Sequence, residues 1–356
     1  NMTTPLTTLP SFVANQALDT SGNGGRKITR LSNGWYVAVA GTASSTYLYF
    51  YVSKDNGATW NQLCYSYYAS SGPYGGIAIC SIGTVVHCSY NLLGASRTRY
   101  LKFDATTITN IDLDSSSPNI AASLNATGVG CSIEADSNGY LHTTWCAKTS
   151  SYSNSFNIYY AKSTNNGDSW TVTQITTENN SVDSLITPCV VIKNNNPIII
   201  FKQTAIDYQR IWCNYYNGSS WLTTGGSNRG VIIYDGGSYA QARPCAVLSQ
   251  DGYIHVVWDG RDFTDGTYNN IRHAKSQDGV TWTKQDGTVG HDKLTSGNSY
   301  EQAQPSIAVD GNNNLYVMYL GKTSGTLEQI RKIVWKGSWE AATTITSATA
   351  HNTYPQ

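Results

Sequence analysis

The sequence predicts an all-β protein, a six-bladed β-propeller in which each blade has four antiparallel strands. Three observations lead to this prediction. A polar turn that ends in tryptophan recurs along the chain, a turn followed by an alternating strand recurs with it, and both return about every 56 residues. One four-stranded blade cannot bury both of its faces, whereas blades stacked around a ring cover one another.

The first repeated element is the polar turn that ends in tryptophan. It has three full copies and two reduced ones: SKDNGATW at 53–60, STNNGDSW at 163–170, SQDGVTW at 276–282, NGSSW at 217–221 and KGSW at 336–339. Asp55, Asn165 and Asp278 can accept hydrogen bonds from N–H groups of their turns. Because glycine and tryptophan persist where the acidic residue is lost, we interpret this element as part of the frame, between the third and fourth strands of a blade.

The second repeated element is a turn followed by alternating residues. Its six copies are SNGWYVAVA from Ser32, SIGTVVHCSY from Ser81, SNGYLHTTW from Ser137, NNNPIIIF from Asn194, QDGYIHVVW from Gln250 and NNNLYVMY from Asn312. Asn-Gly and Asp-Gly supply the positive φ of a tight turn, and the β-branched alternation that follows is typical of a strand. Six copies predict six blades.

The repeats also predict where the blades lie. The propeller is expected over residues 21–347, with blades at roughly 24–68, 74–116, 128–178, 185–228, 239–290 and 300–347, an N-terminal arm at 1–20 and a C-terminal arm at 348–356. The fifth blade is the clearest, with strands expected at 243–249, 253–258, 270–276 and 281–285. Either arm could supply a strand that closes the ring.

Composition excludes several classes of function. Lys+Arg and Asp+Glu are balanced at 23 each, so the chain has no basic surface for nucleic acid or for an anionic membrane. No run of about 18 apolar residues could insert into a bilayer, and residues 1–12 lack the basic start and apolar core of a signal peptide.

Cysteine and histidine positions favour structural roles over metal binding. Three cysteines share one equivalent strand position and three histidines share another: Cys131, Cys189 and Cys245, and His87, His142 and His255. No CxxC pair is present, so we expect buried thiols. Three histidines can hold zinc, but equivalent positions in different blades diverge, so we expect hydrogen bonds in the core. We therefore predict neither a metal nor a cofactor.

The tryptophan turn closely resembles the Asp-box, or BNR, repeat of the sialidase-like β-propellers, and the resemblance covers essentially the whole chain. That superfamily contains sialidases, other glycosidases, lyases and binding propellers, so the resemblance predicts the fold more firmly than the function. For a sialidase it implies three arginines that hold the substrate carboxylate, a Tyr–Glu nucleophile and an aspartate as general acid.

The sialidase pattern is matched in part. The stretch GGRKITRLSNG places Arg26 where the first carboxylate-binding arginine would be, although Lys and Thr replace the expected Ile and Pro. QARPCAV places Arg243 at the start of the fifth inner strand. NSYEQAQPSIAV places Tyr300 near the nucleophile position, with Glu301 beside it and Gln304 where a third arginine would be convenient.

The general acid is the larger departure from the pattern. The resemblance places it in GTASSTYLYF at 41–50, a segment without any carboxylate. A missing acid lowers the rate by roughly 10²–10⁴, so we do not expect an intact sialidase mechanism.

The most charged insertion is WDGRDFTDGTYNN at 258–270, which joins the second and third strands of the fifth blade. Two interpretations remain open. In one, Asp259 or Asp262 is an acid or base close to Arg243. In the other, Arg261 pairs with carboxylates of its own loop, including Asp265, and holds the loop in shape.

Loops on the face opposite the tryptophan turns combine tyrosines with planar polar side chains. Aromatic rings stack on the C–H faces of sugars, and amide, guanidinium and carboxylate groups bracket the hydroxyls. The residues predicted to bind a ligand are Arg26, Tyr74, Arg97, Tyr152, Tyr239, Gln241, Arg243, Arg261, Tyr300 and Gln304.

The predicted function is recognition of a carbohydrate, with a cell-surface glycan as partner. Low charge and abundant Ser, Thr, Asn and Tyr are similar to receptor-binding domains such as those of phage tail fibres, which favours an extracellular or virion-surface location. The alternative is a sialidase-like glycosidase or a polysaccharide lyase, for which Tyr300, Glu301, Asp259 and Asp262 are the catalytic candidates. A propeller that binds only proteins is a third possibility.

Overall fold

The structure is a computed structural model that describes residues 18–19, 25–42, 47–67, 74–92, 97–108, 119–121, 130–205, 207–222, 228–297, 299–322 and 328–346. Within these residues the chain divides between Pro197 and Ile198 into two compact units. Every regular element in the described ranges is a β-strand. No helix there could cross a membrane. Of the arms expected at 1–20 and 348–356, only Leu18 and Asp19 are described.

The first three sheets belong to the unit that ends at Pro197. The first contains β1 (Leu18–Asp19), β2 (Ile28–Arg30), β3 (Tyr36–Thr42), β4 (Tyr47–Ser53) and β5 (Asn61–Tyr67). The second contains β6 (Tyr74–Ile82), β7 (Val85–Leu92), β8 (Arg97–Asp104) and β9 (Asn119–Ala121). The third contains β10 (Cys131–Ala135), β11 (Leu141–Ala147), β12 (Asn157–Ser163) and β13 (Thr171–Gln174). In the first sheet both β1 and β2 pair with β3.

The remaining three sheets follow the same order. The fourth contains β14 (Ser184–Lys193), β15 (Asn196–Thr204), β16 (Gln209–Tyr215) and β17 (Val231–Asp235). The fifth contains β18 (Gln241–Leu248), β19 (Ile254–Gly260), β20 (Asn270–Ser276) and β21 (Asp292–Lys293). The sixth contains β22 (Gln302–Val309), β23 (Leu315–Gly321), β24 (Gln329–Trp335) and β25 (Thr343–Thr344). The fold is therefore the all-β, six-bladed propeller of four-stranded antiparallel blades that the sequence predicts.

The second strand is the most buried element of the third and fifth blades. Every residue of β11 and of β19 is buried, because sheet neighbours flank the strand on both edges and other side chains cover both faces. The fifth and sixth blades share one apolar core, in which Val257 of β19 and Ile271 of β20 pack with Ile307 of β22 and Val317 of β23. This shared core fixes the starts of β18 and β22 relative to each other.

The fifth blade follows the predicted strands except at its outer edge. The first three strands lie within a few residues of their expected positions, and the third, Asn270–Ser276, has the expected bounds. The strand expected at 281–285 is wrong. Thr283 forms only isolated bridges to Lys275 and Val289, and the chain makes a further turn before the fourth strand pairs at Asp292–Lys293.

The tryptophan turn at 53–60 is closed by its own hydrogen bonds. The Ser53 hydroxyl donates to Asp55 and accepts from Gly57 N–H, both at 2.8 Å. Thr59 donates to Asp55 through its hydroxyl and its N–H, and these bonds lower the Asp55 pKa to about 2. The indole N–H of Trp60 donates to the Gly57 carbonyl at 3.2 Å. These bonds agree with the interpretation that this element is part of the frame.

The equivalent turn at 163–170 provides a test of that frame. Gly167 has φ 84°, and a Cβ at this position would overlap the Tyr100 ring, whereas Gly57 has φ 89° with open space around it. Gly167→Ala is expected to lower the free energy of unfolding by about 2–4 kcal/mol, through backbone strain and overpacking together. Gly57→Ala carries only the backbone strain and is expected to cost about 1–2 kcal/mol. Urea unfolding of both variants measures the difference, and equal losses would contradict the packing described here.

Candidate functional site

The starts of β18 and β22 have the same unusual backbone. Arg243 (φ 51°) and Gln304 (φ 54°) are left-handed, and each precedes a proline, Pro244 or Pro305. The ladder register shifts across each of them, between Ala242 and Cys245 and between Ala303 and Ser306. A left-handed residue other than glycine carries strain of about 1–3 kcal/mol, and such strain clusters at functional sites. The starts of these two strands are therefore the first candidate for a functional site.

Arg243 is held by a buried carboxylate on the neighbouring strand. Its Nε and Nη2 donate to the two oxygens of Asp259 at 2.7 and 2.5 Å, a bidentate pair. Asn269 donates its side-chain amide to the same carboxylate at 3.1 Å, and the Gln304 N–H donates at 3.3 Å. The Asp259 side chain is fully buried, whereas 32% of the Arg243 side chain is exposed. The carboxylate thus anchors the group, and Arg243 is the member that reaches the surface.

Glu301 completes the polar group from the start of the sixth blade. Its carboxylate accepts the Asn269 N–H at 2.9 Å. Burial raises the pKa of Glu301, and the nearby charge of Asp259 adds to this effect. No hydrogen bond joins Tyr300 to Glu301 in the described part of the chain, so the Tyr–Glu pair implied by the sialidase resemblance is not formed.

Lys202 of β15 lies within the electrostatic reach of the same group. Burial lowers the pKa of its ammonium, the Asp259 charge opposes that effect, and the Arg243 charge adds to it. The backbone of Lys202 belongs to the β15–β16 ladder, and its side chain forms no hydrogen bond or ion pair in the ranges that the structure describes. The sequence analysis did not single out Lys202, because one lysine at the end of an apolar strand pattern carries no distinctive signal.

A buried arginine on β20 holds the loop between β19 and β20. Arg272 donates to the carboxylates of Asp262 at 2.9 Å and Asp265 at 2.5 Å, to the Gly260 carbonyl at 3.2 Å and to His291 Nε2 at 2.6 Å. Its side chain is completely buried. Burial, reinforced by the Arg272 charge, lowers the His291 pKa to about 4, which keeps the imidazole neutral and able to accept this bond.

One of the two interpretations of this loop, in which Arg261 pairs with the loop's own carboxylates, is wrong, whereas the predicted contact of Arg261 with a ligand stays a prediction. The carboxylates of Asp262 and Asp265 pair with Arg272, which reaches back from the following strand, and not with Arg261. Arg261 donates to the Thr267 carbonyl at 3.0 Å, and its Nε is buried without a hydrogen-bond partner among the described residues. Asp262 is likewise committed to Arg272, which argues against it as an acid near Arg243.

Gln241 supports the loop. It is buried, its Nε2 donates to the carbonyls of Tyr239 and Arg261 at 3.2 and 2.8 Å, and its Oε1 accepts the Trp258 indole N–H at 2.9 Å. These bonds occupy both ends of the amide and favour a structural role for Gln241, and its predicted contact with a ligand stays a prediction. The sixth blade repeats the arrangement, with Gln302 donating to the Tyr300 carbonyl.

Tyr239 and Tyr300 lie two residues before this glutamine in their blades, and both are half-buried. Their backbone carbonyls accept hydrogen bonds from the side-chain amides of Gln241 and Gln302, which fix the backbone at both tyrosines. Their predicted contact with a ligand stays a prediction.

The other predicted residues belong to the unit that ends at Pro197. Arg26 is half-exposed and forms an ion pair with Glu134 at 3.0 Å. Tyr152 lies in a turn, and its backbone N–H donates to the Thr149 carbonyl at 3.1 Å. Tyr74 and Arg97 begin β6 and β8, and their side chains lie outside the described part of the structure.

The equivalent histidines are bonded within their own blades. Each Nδ1 meets a third-strand side chain: Tyr100 for His87 at 2.6 Å, Tyr160 for His142 at 2.6 Å, and His273 for His255 at 3.0 Å. Within the described ranges, no group of three or more His, Cys, Asp and Glu side chains is placed to hold a metal ion. Cys131 and Cys189 are buried and Cys245 is partly buried, and none of the three forms a disulfide.

Solved structures with a similar fold span most of this chain. A crystal structure from Dyadobacter fermentans, of unknown function, is 12% identical with a TM-score of 0.53 and covers 90% of this chain and 96% of its own. The ulvan lyase of polysaccharide lyase family PL25, bound to -[GlcA(1-4)Rha3S]-, is 11% identical with a TM-score of 0.56 and covers 88% and 82%. The SapL1 lectin, in complex with alpha methyl fucoside, is 10% identical with a TM-score of 0.50 and covers 90% and 95%.

No protein-family model matches the sequence, and no curated protein matches it. The similarity therefore lies in the fold, and the class it defines is the six-bladed β-propeller.

Proposed function

We propose that this protein recognises a carbohydrate through a site made of Arg243, Asp259, Asn269, Glu301 and Gln304, which we call the Arg243 site. The observation that carries the proposal is the bidentate Arg243–Asp259 pair, set by strained backbone and shared by side chains of two blades. Planar polar groups fixed in advance lose little conformational freedom when they bind hydroxyl groups.

Two of the similar folds support the same class of ligand, since one is a lyase bound to a saccharide and the other a lectin bound to a fucoside. Membership in the sialidase-like superfamily is part of the proposal and rests on the tryptophan turns. A role as an extracellular or virion-surface module that attaches to a host glycan is also proposed, on the basis of neutral charge and a surface rich in small polar residues.

Replacement of Arg243 tests the proposal. Arg243→Gln is expected to weaken glycan binding about 10- to 100-fold, because a bidentate charged donor is lost from the exposed part of the site. Binding is measured on an array of neutral and acidic glycans, and then by titration with the strongest array ligand. The matched control is Arg210→Gln, which removes an Arg–Asp pair of 2.8 Å to Asp235 in the fourth blade.

The melting temperature of both variants separates lost binding from lost structure. Unchanged glycan binding by a folded Arg243→Gln variant would contradict the assignment of the site. If the native protein retained no glycan at all, the proposal of carbohydrate recognition would be wrong.

A second candidate function is cleavage of a glycan. Glu301 favours it, because burial raises the pKa of this carboxyl and Asp259 lies close by, an environment that suits a general acid. Release of reducing ends, together with ultraviolet absorbance of unsaturated products, distinguishes a hydrolase or lyase from a binding module. If turnover occurs, Glu301→Gln is expected to abolish it while binding persists.

A further inference from the structure

The loop between β19 and β20 contains a four-residue turn that is closed from both ends. The Asp265 N–H donates to the Asp262 carbonyl at 3.1 Å, and the Asp262 N–H donates to the Asp265 carboxylate at 2.9 Å. Thr264 donates to the Asp262 carboxylate through its N–H at 2.8 Å and its hydroxyl at 2.6 Å. These bonds hold the backbone of residues 262–265 in one conformation.

Buried charges fasten this turn to the blade. Arg272 binds both of its carboxylates, and Asp265 also pairs with Lys293 and accepts from the Asn270 amide at 2.9 Å. Asp265 is 2% exposed and Arg272 is fully buried. Buried ion pairs add little net stability against apolar residues of the same size, and a conformational role is the better-attested reason to retain them. Here the role is to hold a surface turn in one conformation.

That turn presents an aromatic ring to solvent. Phe263 lies between Asp262 and Thr264 and is 81% exposed. Tyr268, on the same loop, is 37% exposed. The remaining neighbours on the loop are polar, so the ring does not belong to the broad apolar patch that a protein interface requires. A single exposed ring on a polar loop suits the C–H face of a pyranose.

The loop also connects the ring to the Arg243 site. Asp259, which anchors Arg243, ends β19 just before the loop, and Asn269 at the other end of the loop donates to both Asp259 and Glu301. The turn that carries Phe263 is therefore part of the loop whose two ends contribute Asp259 and Asn269 to the site.

We infer that Phe263 is the aromatic platform on which a pyranose ring stacks when a glycan occupies the Arg243 site. This inference rests on the proposed function and identifies the part of the ligand that the polar residues do not contact. The buried Arg272 cluster fixes the backbone that carries the ring, so binding has only the side-chain torsions of Phe263 to order.

Substitution of the ring tests this inference with the intact chain. Phe263→Ala is expected to weaken binding of the strongest array glycan about tenfold, and Phe263→Trp is expected to retain or strengthen it. Neither change should alter the melting temperature, because the side chain contacts solvent. The control is Val289→Ala, since Val289 is 82% exposed on another turn of the same blade and is expected to have no effect on binding.

The outcomes separate the inference from the proposed function. One outcome is that the native protein binds glycan, that Arg243→Gln weakens this binding and that Phe263→Ala does not. In that case the assignment of Phe263 as the platform is wrong and the proposed function stands. If methyl α-fucoside, ulvan oligosaccharide and the array all fail to bind the native protein, the function is wrong and the platform fails with it. Weaker binding by both Arg243→Gln and Phe263→Ala, with binding recovered in Phe263→Trp and unchanged in Val289→Ala, supports the inference.

Discussion

Replacing Arg272 with methionine is expected to lower the free energy of unfolding by about 3–5 kcal/mol, because the buried Asp265 carboxylate then keeps Lys293 as its one cation and Asp262 loses its ion pair. Arg272 is fully buried and binds Asp262, Asp265 and the Gly260 carbonyl. Methionine fills much of the space of the arginine stem, so the loss is electrostatic and not a cavity effect. The expected local consequence is release of the turn at 262–265.

Chemical denaturation at neutral pH measures this effect. The matched control is Arg210→Met, since Arg210 forms its ion pair with a partly exposed Asp235 and is expected to contribute less than about 1 kcal/mol. Adding Asp265→Asn to Arg272→Met should recover part of the loss by removing a buried negative charge that only the partly exposed Lys293 would still balance. Equal losses for the Arg272 and Arg210 variants would contradict the description of a buried cluster.

The second large expected effect is loss of stability in mild acid. Burial lowers the pKa of His87 to about 4 and of His255 to about 3, and nearby Lys102 and Lys275 respectively contribute. Burial also lowers the pKa values of His142 and His273. These histidines are neutral in the folded protein, whereas in the unfolded chain they protonate near pH 6.5.

The sign follows from proton binding. Between about pH 6.5 and the lowered pKa values the unfolded state binds more protons, so stability rises with pH in that window and is lost as the pH falls through it. At pH 5, His87 and His255 are each expected to account for about 1–2 kcal/mol of lost stability. Urea unfolding from pH 8 to pH 4 measures the slope, and His255→Gln should reduce it by about one proton. A stability profile that is flat from pH 7 to pH 5 would contradict this prediction.

The fold was predictable because its physical signals repeat. Each turn with glycine and each alternating strand is a weak local signal, but six copies at one spacing admit few architectures. The turn at 53–60 could also be understood in advance, since its serine, aspartate and threonine bond to atoms only a few residues away. The outer strand of the fifth blade was misplaced because short edge strands carry little alternation, and the isolated bridges of Thr283 replaced a regular ladder.

The candidate site was harder to predict from the sequence than the fold, because its contacts depend on tertiary geometry. Proximity of Asp259 to Arg243 was one of two open interpretations, and it is observed. The choice between Arg261 and Arg272 as partner of the loop carboxylates depends on which side chain faces inward, and spacing alone favoured the nearer residue. A role for Phe263 could not be predicted from the sequence, because a single phenylalanine in a polar loop can be buried or exposed, and only the structure shows which.

The strained position before proline has a wider consequence. Thr187, Arg243 and Gln304 each precede a proline in the first strand of successive blades, with φ values of 51°, 51° and 54°. The left-handed backbone and the proline define the main chain at all three positions, so the identity of the side chain is not dictated by the strand that follows. Such a position accepts a hydroxyl, a guanidinium or an amide without rebuilding the sheet. Diversification of ligand preference among propellers of this design could therefore proceed by single substitutions at one equivalent residue per blade.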